Sequence, residues 1–241
     1  LNAYHRNLKA FFSLWFFLAN RCRILQLLVK IARDIRIIAL DLDGTLLATL
    51  EDLHDSTNHV LRSLGYPERT LDEVRRFVGN GARRLMDQAV PEGVDAQEAF
   101  DAFQNWYPRH CQIKTKAYEG IPEALEILKE KYPVAIVSNK PDKAVKVLCA
   151  DYFPGIYAIG ESVDCPRKPA PDMVYKAMKE LGVEKCIYVG DSEVDVITAN
   201  NAGVPCLSVL WGFRDKECLL ENGATHICED PRDLPRCLKE M

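Results

Sequence analysis

Short runs of branched apolar residues recur along the chain, and each run ends in a polar cluster. The runs at 35–40, 134–137 and 186–189 have the length and composition of strands buried on both faces of a parallel sheet. Apolar residues at helical spacing fill much of the chain between them. This alternation predicts an α/β fold with a Rossmann-like parallel sheet. Because ligands bind at the carboxyl ends of the strands in such sheets, the polar clusters form the candidate site.

The first cluster, at 41–45, places two carboxylates directly after a strand. Asp41 and Asp43 are two residues apart, so in extended geometry their side chains point the same way, and Gly44 lets the backbone turn sharply. Carboxylates this close repel each other unless a cation or a shared proton intervenes. A divalent metal resolves this repulsion, with one carboxylate as ligand and nucleophile and the other free for proton transfer. The same residues also suit an ordinary polar turn, and the pentapeptide alone does not decide between the two.

Three further clusters follow in chain order. Ser138 comes directly after the second run and offers a hydroxyl that can hold a phosphate oxygen. Two prolines follow Lys168 and fix an extended approach, and Asp172 is expected to cap the next helix. Asp191 and Asp195 are four residues apart after the third run, so on a helix starting here they would face one side and address one metal.

These four clusters, in this order, resemble the motifs of the haloacid dehalogenase-like superfamily, and specifically of its phosphatases. The resemblance extends from about residue 35 to the C-terminus and implies an Mg²⁺-dependent enzyme that works through an aspartyl phosphate. It implies Asp41 as the nucleophile and Asp43 as the general acid and base, Ser138, Asn139 and Lys168 as phosphate-binding residues, and Asp41, Asp43, Asp191 and Asp195 as the metal site.

The segment at 48–117 is too long for a simple crossover between two strands. Its apolar residues recur at helical spacing in several stretches, which predicts a small helical cap inserted after the first strand. An aromatic stripe near its end is interpreted as cap core, because apolar positions at this spacing normally bury one helix face. The predicted organisation is an N-terminal extension at 1–34, an α/β catalytic core at 35–47 and 118–241, and the cap at 48–117.

Within the predicted cap, Gly79, Asn80, Gly81 and Arg83 look like the substrate-facing turn of the phosphoglycolate phosphatases in this superfamily. The two glycines leave backbone N–H groups bare at a helix start, which favours an anion such as a substrate carboxylate. On physical grounds alone, Asn80 as a plain N-cap and Arg83 on a solvated face is the commoner arrangement. The resemblance favours the substrate-binding role for these four residues.

The resemblance therefore predicts a phosphatase of a small phosphomonoester, with hydrolysis of 2-phosphoglycolate to glycolate and phosphate as the expected reaction. A pyrophosphatase, a sugar-phosphate phosphatase or a phosphosugar mutase of the same superfamily remains open. A non-catalytic phosphate-binding regulatory module is a remoter alternative. Such a module would be expected to lack Asp41, Asp43, Lys168 or Asp191, and all four are present.

Composition fits a cytoplasmic enzyme. The expected partner is a small-molecule phosphate ester, with no nucleic acid and no membrane span, and the expected state is a monomer or homodimer. The net charge of −4 over 241 residues argues against a surface built around nucleic-acid phosphates. Nine cysteines show no metal-ligand spacing and are expected to be reduced core residues. The apolar run at 10–19 is too short to span a bilayer, and we interpret the segment 1–34 as an upstream extension or the result of an alternative start.

Overall fold

The computed structural model describes residues 36–241, so the N-terminal extension predicted at 1–34, and Ile35 of the first predicted strand, lie outside the described residues. In chain order the elements are β1 (Arg36–Leu40), β2 (Leu47–Ala48), α1 (Leu50–Ser63), α2 (Leu71–Phe77), α3 (Gly81–Ala89), α4 (Gln97–Trp106), a 3₁₀ turn (Tyr107–Arg109), β3 (Lys116–Ala117), α5 (Ile121–Lys129), β4 (Val134–Pro141), α6 (Asp142–Tyr152), β5 (Tyr157–Glu161), α7 (Asp172–Glu180), β6 (Lys185–Gly190), α8 (Glu193–Ala202), β7 (Cys206–Val209), α9 (Lys216–Glu221), β8 (His226–Cys228), a second 3₁₀ turn (Pro231–Asp233) and α10 (Leu234–Lys239).

Six parallel strands form the main sheet in the order β5-β4-β1-β6-β7-β8. The central strand β1 pairs with β4 on one side and with β6 on the other. The three strands that precede the polar clusters are therefore immediate neighbours. Because their carboxyl ends meet at one edge of the sheet, the clusters that follow them converge there. The predicted α/β fold with a parallel sheet is confirmed.

Both faces of the sheet are covered, which explains why the strands are continuously apolar. Ile38 and Leu40 of β1 pack into one hydrophobic cluster with residues of α5, α6 and the helices that follow β2. Ile37 and Ala39 face the opposite side, where α7 and α8 cover the sheet. All four side chains are fully buried. Successive residues of a strand point to opposite faces, so a strand covered on both sides has no polar positions to alternate with.

The strand and helix boundaries differ from expectation at two places. Strand β4 continues through Pro141, so Ser138 lies within it rather than after it. Asp172 does not cap α7, because it is the first helical residue and Pro171 holds the N-cap position. An acidic residue in the first turn still suits the positive end of a helix dipole.

Helices α1 to α4 and the first 3₁₀ turn lie between β2 and β3, and we call residues 49–115 the helical insertion. Strands β2 and β3 pair antiparallel and bring the two ends of the insertion together. The buried Asp52 carboxylate strengthens this junction by accepting hydrogen bonds from the backbone N–H groups of Lys114, at 3.0 Å, and Thr115, at 2.8 Å. The helices expected in this segment are present, and their assignment as a separate cap domain stays a prediction.

Two further observations concern the described residues as a whole. Within 36–241, no helix combines the length and the apolar character needed to cross a bilayer. The cysteines described there are free thiols, and most are buried among apolar side chains.

Candidate active site

Three aspartates from two neighbouring parts of the sheet edge form the centre of the candidate site. Asp41 follows β1, Asp191 follows β6, and Asp195 lies in the first turn of α8. Each is buried, and each offers one carboxylate oxygen such that the three oxygens lie within 4.8 Å of one another. These are three of the four residues predicted to bind metal, and the sheet topology brings them together.

The position of Asp191 depends on its hydrogen-bond partners and on two glycines. Its Oδ1 accepts a hydrogen bond from Thr45 Oγ1 at 2.9 Å, and its Oδ2 accepts one from the backbone N–H of Phe213 at 2.8 Å. A Cβ atom on Gly44 or on Gly212 would overlap the Asp191 carboxylate. Gly44 also has a φ of +86°, which side chains other than hydrogen rarely tolerate. The loops that contain Gly44 and Gly212 thus pack directly against the Asp191 carboxylate, and any larger residue at either position would prevent this contact.

Asp195 is held by other hydrogen bonds than Asp191, and the two aspartates do not share the helical face that the sequence predicts. Helix α8 begins at Glu193, after Ser192 as N-cap, so Asp191 precedes the helix and does not share a helical face with Asp195. Asp195 Oδ2 accepts hydrogen bonds from the backbone N–H and the Oγ of Ser192, at 3.1 and 2.7 Å. Serine is a favoured N-cap residue, and the acidic side chain three residues later completes a capping box. Asp195 Oδ1 remains directed into the site, towards Lys168.

Lys168 is a buried cation between two of the aspartates. Its Nζ lies 2.7 Å from Asp195 Oδ1 and 2.9 Å from Asp41 Oδ1, and only 1% of its side chain is exposed. Burial by itself would lower the pKa of Lys168, but the two carboxylates outweigh it and raise the pKa well above its usual value. Lys168 is therefore a permanent positive charge in the site.

The aspartates carry more negative charge than Lys168 balances. Burial raises the pKa of Asp41 well above its usual value, Lys168 opposes this, and the neighbouring carboxylates of Asp195, Asp191 and Asp43 raise it further. Burial and the charge of Asp195 also raise the pKa of Asp191 to about 7. Converging carboxylate oxygens that repel one another are the donor set of a hard divalent cation, so the residues present fit such an ion.

Asp43, the predicted general acid and base, contacts a lysine to which the sequence assigned no role. Asp43 Oδ1 lies 3.0 Å from Lys140 Nζ, which also donates a hydrogen bond to the Tyr107 hydroxyl at 2.6 Å. Burial lowers the pKa of Lys140, but Asp43 and Tyr107 raise it above its usual range. Tyr107 belongs to the aromatic stripe that the sequence analysis interprets as cap core. It is buried as expected, and its hydroxyl also reaches the site. The signal available in the sequence was a lysine two residues after Ser138, on a buried strand.

Two further predicted phosphate-binding residues, Ser138 and Asn139, follow one another on β4. Both line the cavity, and Ser138 is almost fully buried beside Asp41 and Asp43. Asn139 donates hydrogen bonds from its amide to the backbone carbonyls of Gly79 and Lys168, each at 3.0 Å. Its amide oxygen accepts from the backbone N–H of Lys168 at 2.6 Å. Both ends of the Asn139 amide are thus bonded to backbone groups, so it positions Lys168 and the helical insertion.

The turn of the insertion that was predicted to face the substrate reaches the site only in part. Gly79 and Gly81 line the cavity, and their φ angles of +119° and +83° require glycine. Asn80 is the N-cap of α3, but its side chain makes no hydrogen bond with the helix. The backbone of the turn therefore approaches the cavity as expected.

Arg83 does not reach the cavity. Its guanidinium pairs with Asp87 at 2.9 Å and Asp95 at 3.4 Å, and it donates a hydrogen bond to Gln97 at 2.6 Å. About a third of its side chain is exposed to solvent. The structure thus places Arg83 on the outer surface of the insertion, among acidic and amide side chains.

The helical insertion covers part of the site and leaves a small cavity that opens to solvent. Its volume is about 60 Å³, counted as the space open to the centre of a water molecule. Since one water needs roughly 10–15 Å³ on this measure, the space between the walls has room for a few water molecules or a small chemical group. One wall carries Asp41, Asp43, Asp191, Ser138 and Lys140. The opposite wall is mainly apolar and consists of Leu53, Val78, Ala82, Leu85 and Phe103.

Comparison with known proteins gives a consistent result. The model of the protein family described as haloacid dehalogenase-like hydrolase matches residues 38–209. A phosphoglycolate phosphatase of Pseudomonas fluorescens is 32% identical over 218 residues, which covers 84% of this chain and 80% of that protein. A phosphoglycolate phosphatase of Rhodobacter capsulatus is 37% identical over 186 residues, covering 72% of this chain and 84% of that protein. A crystal structure from Lactobacillus delbrueckii subsp. bulgaricus superposes with a TM-score of 0.80 at 33% identity, covering 84% of this chain and 98% of that one.

Proposed function

The chain belongs to the haloacid dehalogenase-like hydrolase family, and we propose that it is an Mg²⁺-dependent phosphatase whose substrate is 2-phosphoglycolate. Hydrolysis of phosphoric monoesters is the activity in the names of both of its curated relatives described above. The observation that carries the proposal is the meeting of Asp41, Asp191, Asp195 and Lys168 at the carboxyl ends of adjacent strands. A nucleophilic carboxylate, a metal-binding carboxylate set and a buried cation are what transfer of a phosphoryl group to an aspartate needs.

In the proposed reaction, an Asp41 oxygen attacks phosphorus, and the bond from phosphorus to the ester oxygen breaks as the aspartyl phosphate forms. Asp43 gives its proton to the departing alkoxide, which leaves as the alcohol. Asp43 then takes a proton from water, whose oxygen attacks phosphorus as the bond from phosphorus to the Asp41 oxygen breaks. Inorganic phosphate leaves, Asp41 is again a carboxylate and Asp43 is again protonated. Lys168 stabilises the charge on the phosphoryl oxygens throughout.

Asp41, Asp191 and Asp195 would hold the divalent cation. When bound, it supplies positive charge that offsets the repulsion between the carboxylates and the phosphate ester and stabilises the phosphoryl group during transfer. The all-oxygen donor set supports Mg²⁺ as the physiological ion.

The choice of substrate rests on the size of the cavity and on the relatives. A cavity of about 60 Å³ favours an ester with a small leaving group over a sugar phosphate. Both curated relatives described above are named for phosphoglycolate. A cytoplasmic location and a monomeric or homodimeric state stay predictions.

The test is phosphate release from 2-phosphoglycolate, pyrophosphate, glucose 6-phosphate and p-nitrophenyl phosphate, with Mg²⁺ and after treatment with EDTA. We expect the highest kcat/KM for 2-phosphoglycolate, loss of activity in EDTA and recovery on adding Mg²⁺. Asp41→Asn should lower kcat by at least about a thousandfold, since it removes the nucleophile. Asp87→Asn, which changes an aspartate on the surface of α3, is the matched control and should keep wild-type rates.

Two results would contradict the proposal at different levels. Turnover of p-nitrophenyl phosphate with no preference for 2-phosphoglycolate would leave the mechanism intact but would rule out 2-phosphoglycolate as the preferred substrate. Wild-type rates in Asp41→Asn would rule out Asp41 as the nucleophile and with it the proposed mechanism.

A further inference from the structure

We propose that Lys140 binds the carboxylate of the substrate's leaving group and thereby gives the enzyme its preference for phosphate esters that carry a carboxylate. This inference rests on the proposed phosphatase function and assigns the specificity of that site to one residue. It replaces Arg83, which the sequence pattern had suggested for the same role.

The charges around the cavity point to Lys140. Among the described residues that line the cavity, Lys140 has the only basic side chain, and Lys168, which is paired with Asp41 and Asp195, is not one of the lining residues. The wall supplied by the helical insertion is mainly apolar, and Arg83 is engaged with Asp87 and Asp95 on the outer surface. A carboxylate that enters a largely apolar cavity needs a charged partner, because burying it unpaired is costly. Within the part of the chain that the structure describes, Lys140 is the available one.

The ammonium group of Lys140 has room for another partner. It carries three N–H donors, of which one faces Asp43 Oδ1 at 3.0 Å and one the Tyr107 hydroxyl at 2.6 Å. No residue in 36–241 is found to accept the third. Lys140 is 6% exposed, so that the group is held in place before a ligand arrives. A charge-assisted hydrogen bond to a carboxylate would use the third donor.

The distance from the reacting atoms also fits. Asp43 protonates the ester oxygen in the proposed reaction, and the Lys140 ammonium is its direct neighbour. In 2-phosphoglycolate the carboxylate is bonded to the same carbon that bears the ester oxygen. A substrate whose ester oxygen lies at Asp43 can therefore place its carboxylate against Lys140.

Lys140 has a competing role that involves no substrate, namely to neutralise Asp43 and to hold Tyr107. Loss of such a structural role would impair every phosphate ester to a similar degree. Loss of a carboxylate-binding role would impair only esters that carry a carboxylate. The ratio of two kcat/KM values therefore separates the two roles.

The experiment compares 2-phosphoglycolate with 2-hydroxyethyl phosphate, in which a hydroxymethyl group replaces the carboxylate. We expect Lys140→Met to reduce the preference for 2-phosphoglycolate by about tenfold to a hundredfold, the range expected for loss of a charged hydrogen bond. Lys140→Gln should do the same and serves where the methionine variant folds poorly. Arg83→Gln and the exposed Lys143→Met are the controls, and both should keep the wild-type ratio.

The affinities of the two esters for variants that do not turn them over give the same comparison. Calorimetry with both esters, on Asp41→Asn and on Asp41→Asn combined with Lys140→Met, should show that only 2-phosphoglycolate loses affinity in the double variant. An unchanged preference in the Lys140 variants would overturn the inference, and so would a loss of preference in Arg83→Gln instead. In either case, continued release of phosphate from the esters would leave the proposed phosphatase function standing. Absence of phosphate release from every ester, with selective binding still dependent on Lys140, would overturn the proposed function alone.

Discussion

The edge of the sheet and the helical insertion form opposite walls of one cavity, yet they are built from different interactions. At the sheet edge, Lys168 is buried between Asp41 and Asp195, and its contacts are ion pairs. The insertion faces the same cavity with mainly apolar side chains such as Leu53 and Phe103. Charges held by neighbouring strands can supply chemistry, whereas the apolar wall shapes the space beside them. The comparison shows that the charged groups of the cavity come from the strand ends, whereas the insertion contributes mainly apolar surface.

The two walls touch through a few polar contacts. Asn139 donates a hydrogen bond to the carbonyl of Gly79, and Lys140 donates one to Tyr107. Arg214, in the loop after β7, donates hydrogen bonds to carbonyls at the C-terminal end of α2. These contacts hold the insertion against the strand ends.

The largest expected effect comes from breaking the charge balance at the sheet edge. Lys168→Met leaves Asp41 and Asp195 buried without their cation, which should cost about 3–5 kcal/mol of unfolding free energy. We also expect kcat/KM to fall by at least about a hundredfold, because the phosphoryl charge loses a fixed partner. Urea unfolding followed by circular dichroism and phosphate-release assays measure the two effects.

The matched control for this variant is Lys176→Met, which removes an exposed lysine from α7. It should change the unfolding free energy by no more than about 0.5 kcal/mol. If Lys168→Met were as stable and as active as this control, the ion pairs at the sheet edge would not be what distinguishes the two walls.

A smaller effect is expected where the insertion joins the core. Asp52→Ala removes the buried acceptor of the backbone N–H groups of Lys114 and Thr115. Leaving buried N–H groups without a partner should lower the unfolding free energy by about 1–3 kcal/mol, while kcat stays within about twofold of wild type. Thermal and urea unfolding, together with kcat, test this separation.

Asp55→Ala on the same helix is the control, since Asp55 pairs with Lys114 at the surface. Its cost should stay below about 1 kcal/mol. A large loss of kcat in Asp52→Ala, with stability unchanged, would show that the junction takes part in catalysis and would weaken the contrast between the walls.

The smallest expected effect concerns the contact between α2 and the core. Arg214 pairs with Glu193 at 2.7 Å and donates to the carbonyls of Arg75 and Val78, at 2.9 and 2.8 Å. Arg214→Met should lower stability by about 1 kcal/mol and raise KM a few-fold with kcat nearly unchanged, because the apolar wall is held less firmly. Steady-state kinetics on the best substrate measures this, with the exposed Arg236→Met as control. A fall in kcat at constant KM would instead place Arg214 in the chemistry.

Local sequence determined the strands and the identity of the charged groups. Continuous apolar runs can be accommodated only in a sheet covered on both faces, and a strand that ends in a carboxylate places it at the ligand-binding edge. The strand ends therefore predicted one site for Asp41 and Asp191, and the resemblance to the superfamily added Lys168 to it. The helices of the insertion were equally readable, because their apolar spacing is a property of consecutive residues.

Only the tertiary structure decided which polar side chains reach the cavity and which are used elsewhere. Arg83 turns to Asp87 on the surface, the amide of Asn139 bonds to backbone groups, and Lys140 becomes the basic side chain of the cavity. Asp191 and Asp195 meet through a loop and a capping box rather than along one helix face. The direction of a side chain depends on partners far away in sequence, whose positions are fixed only when the insertion packs on the strand ends. No pattern of neighbouring residues contains that information.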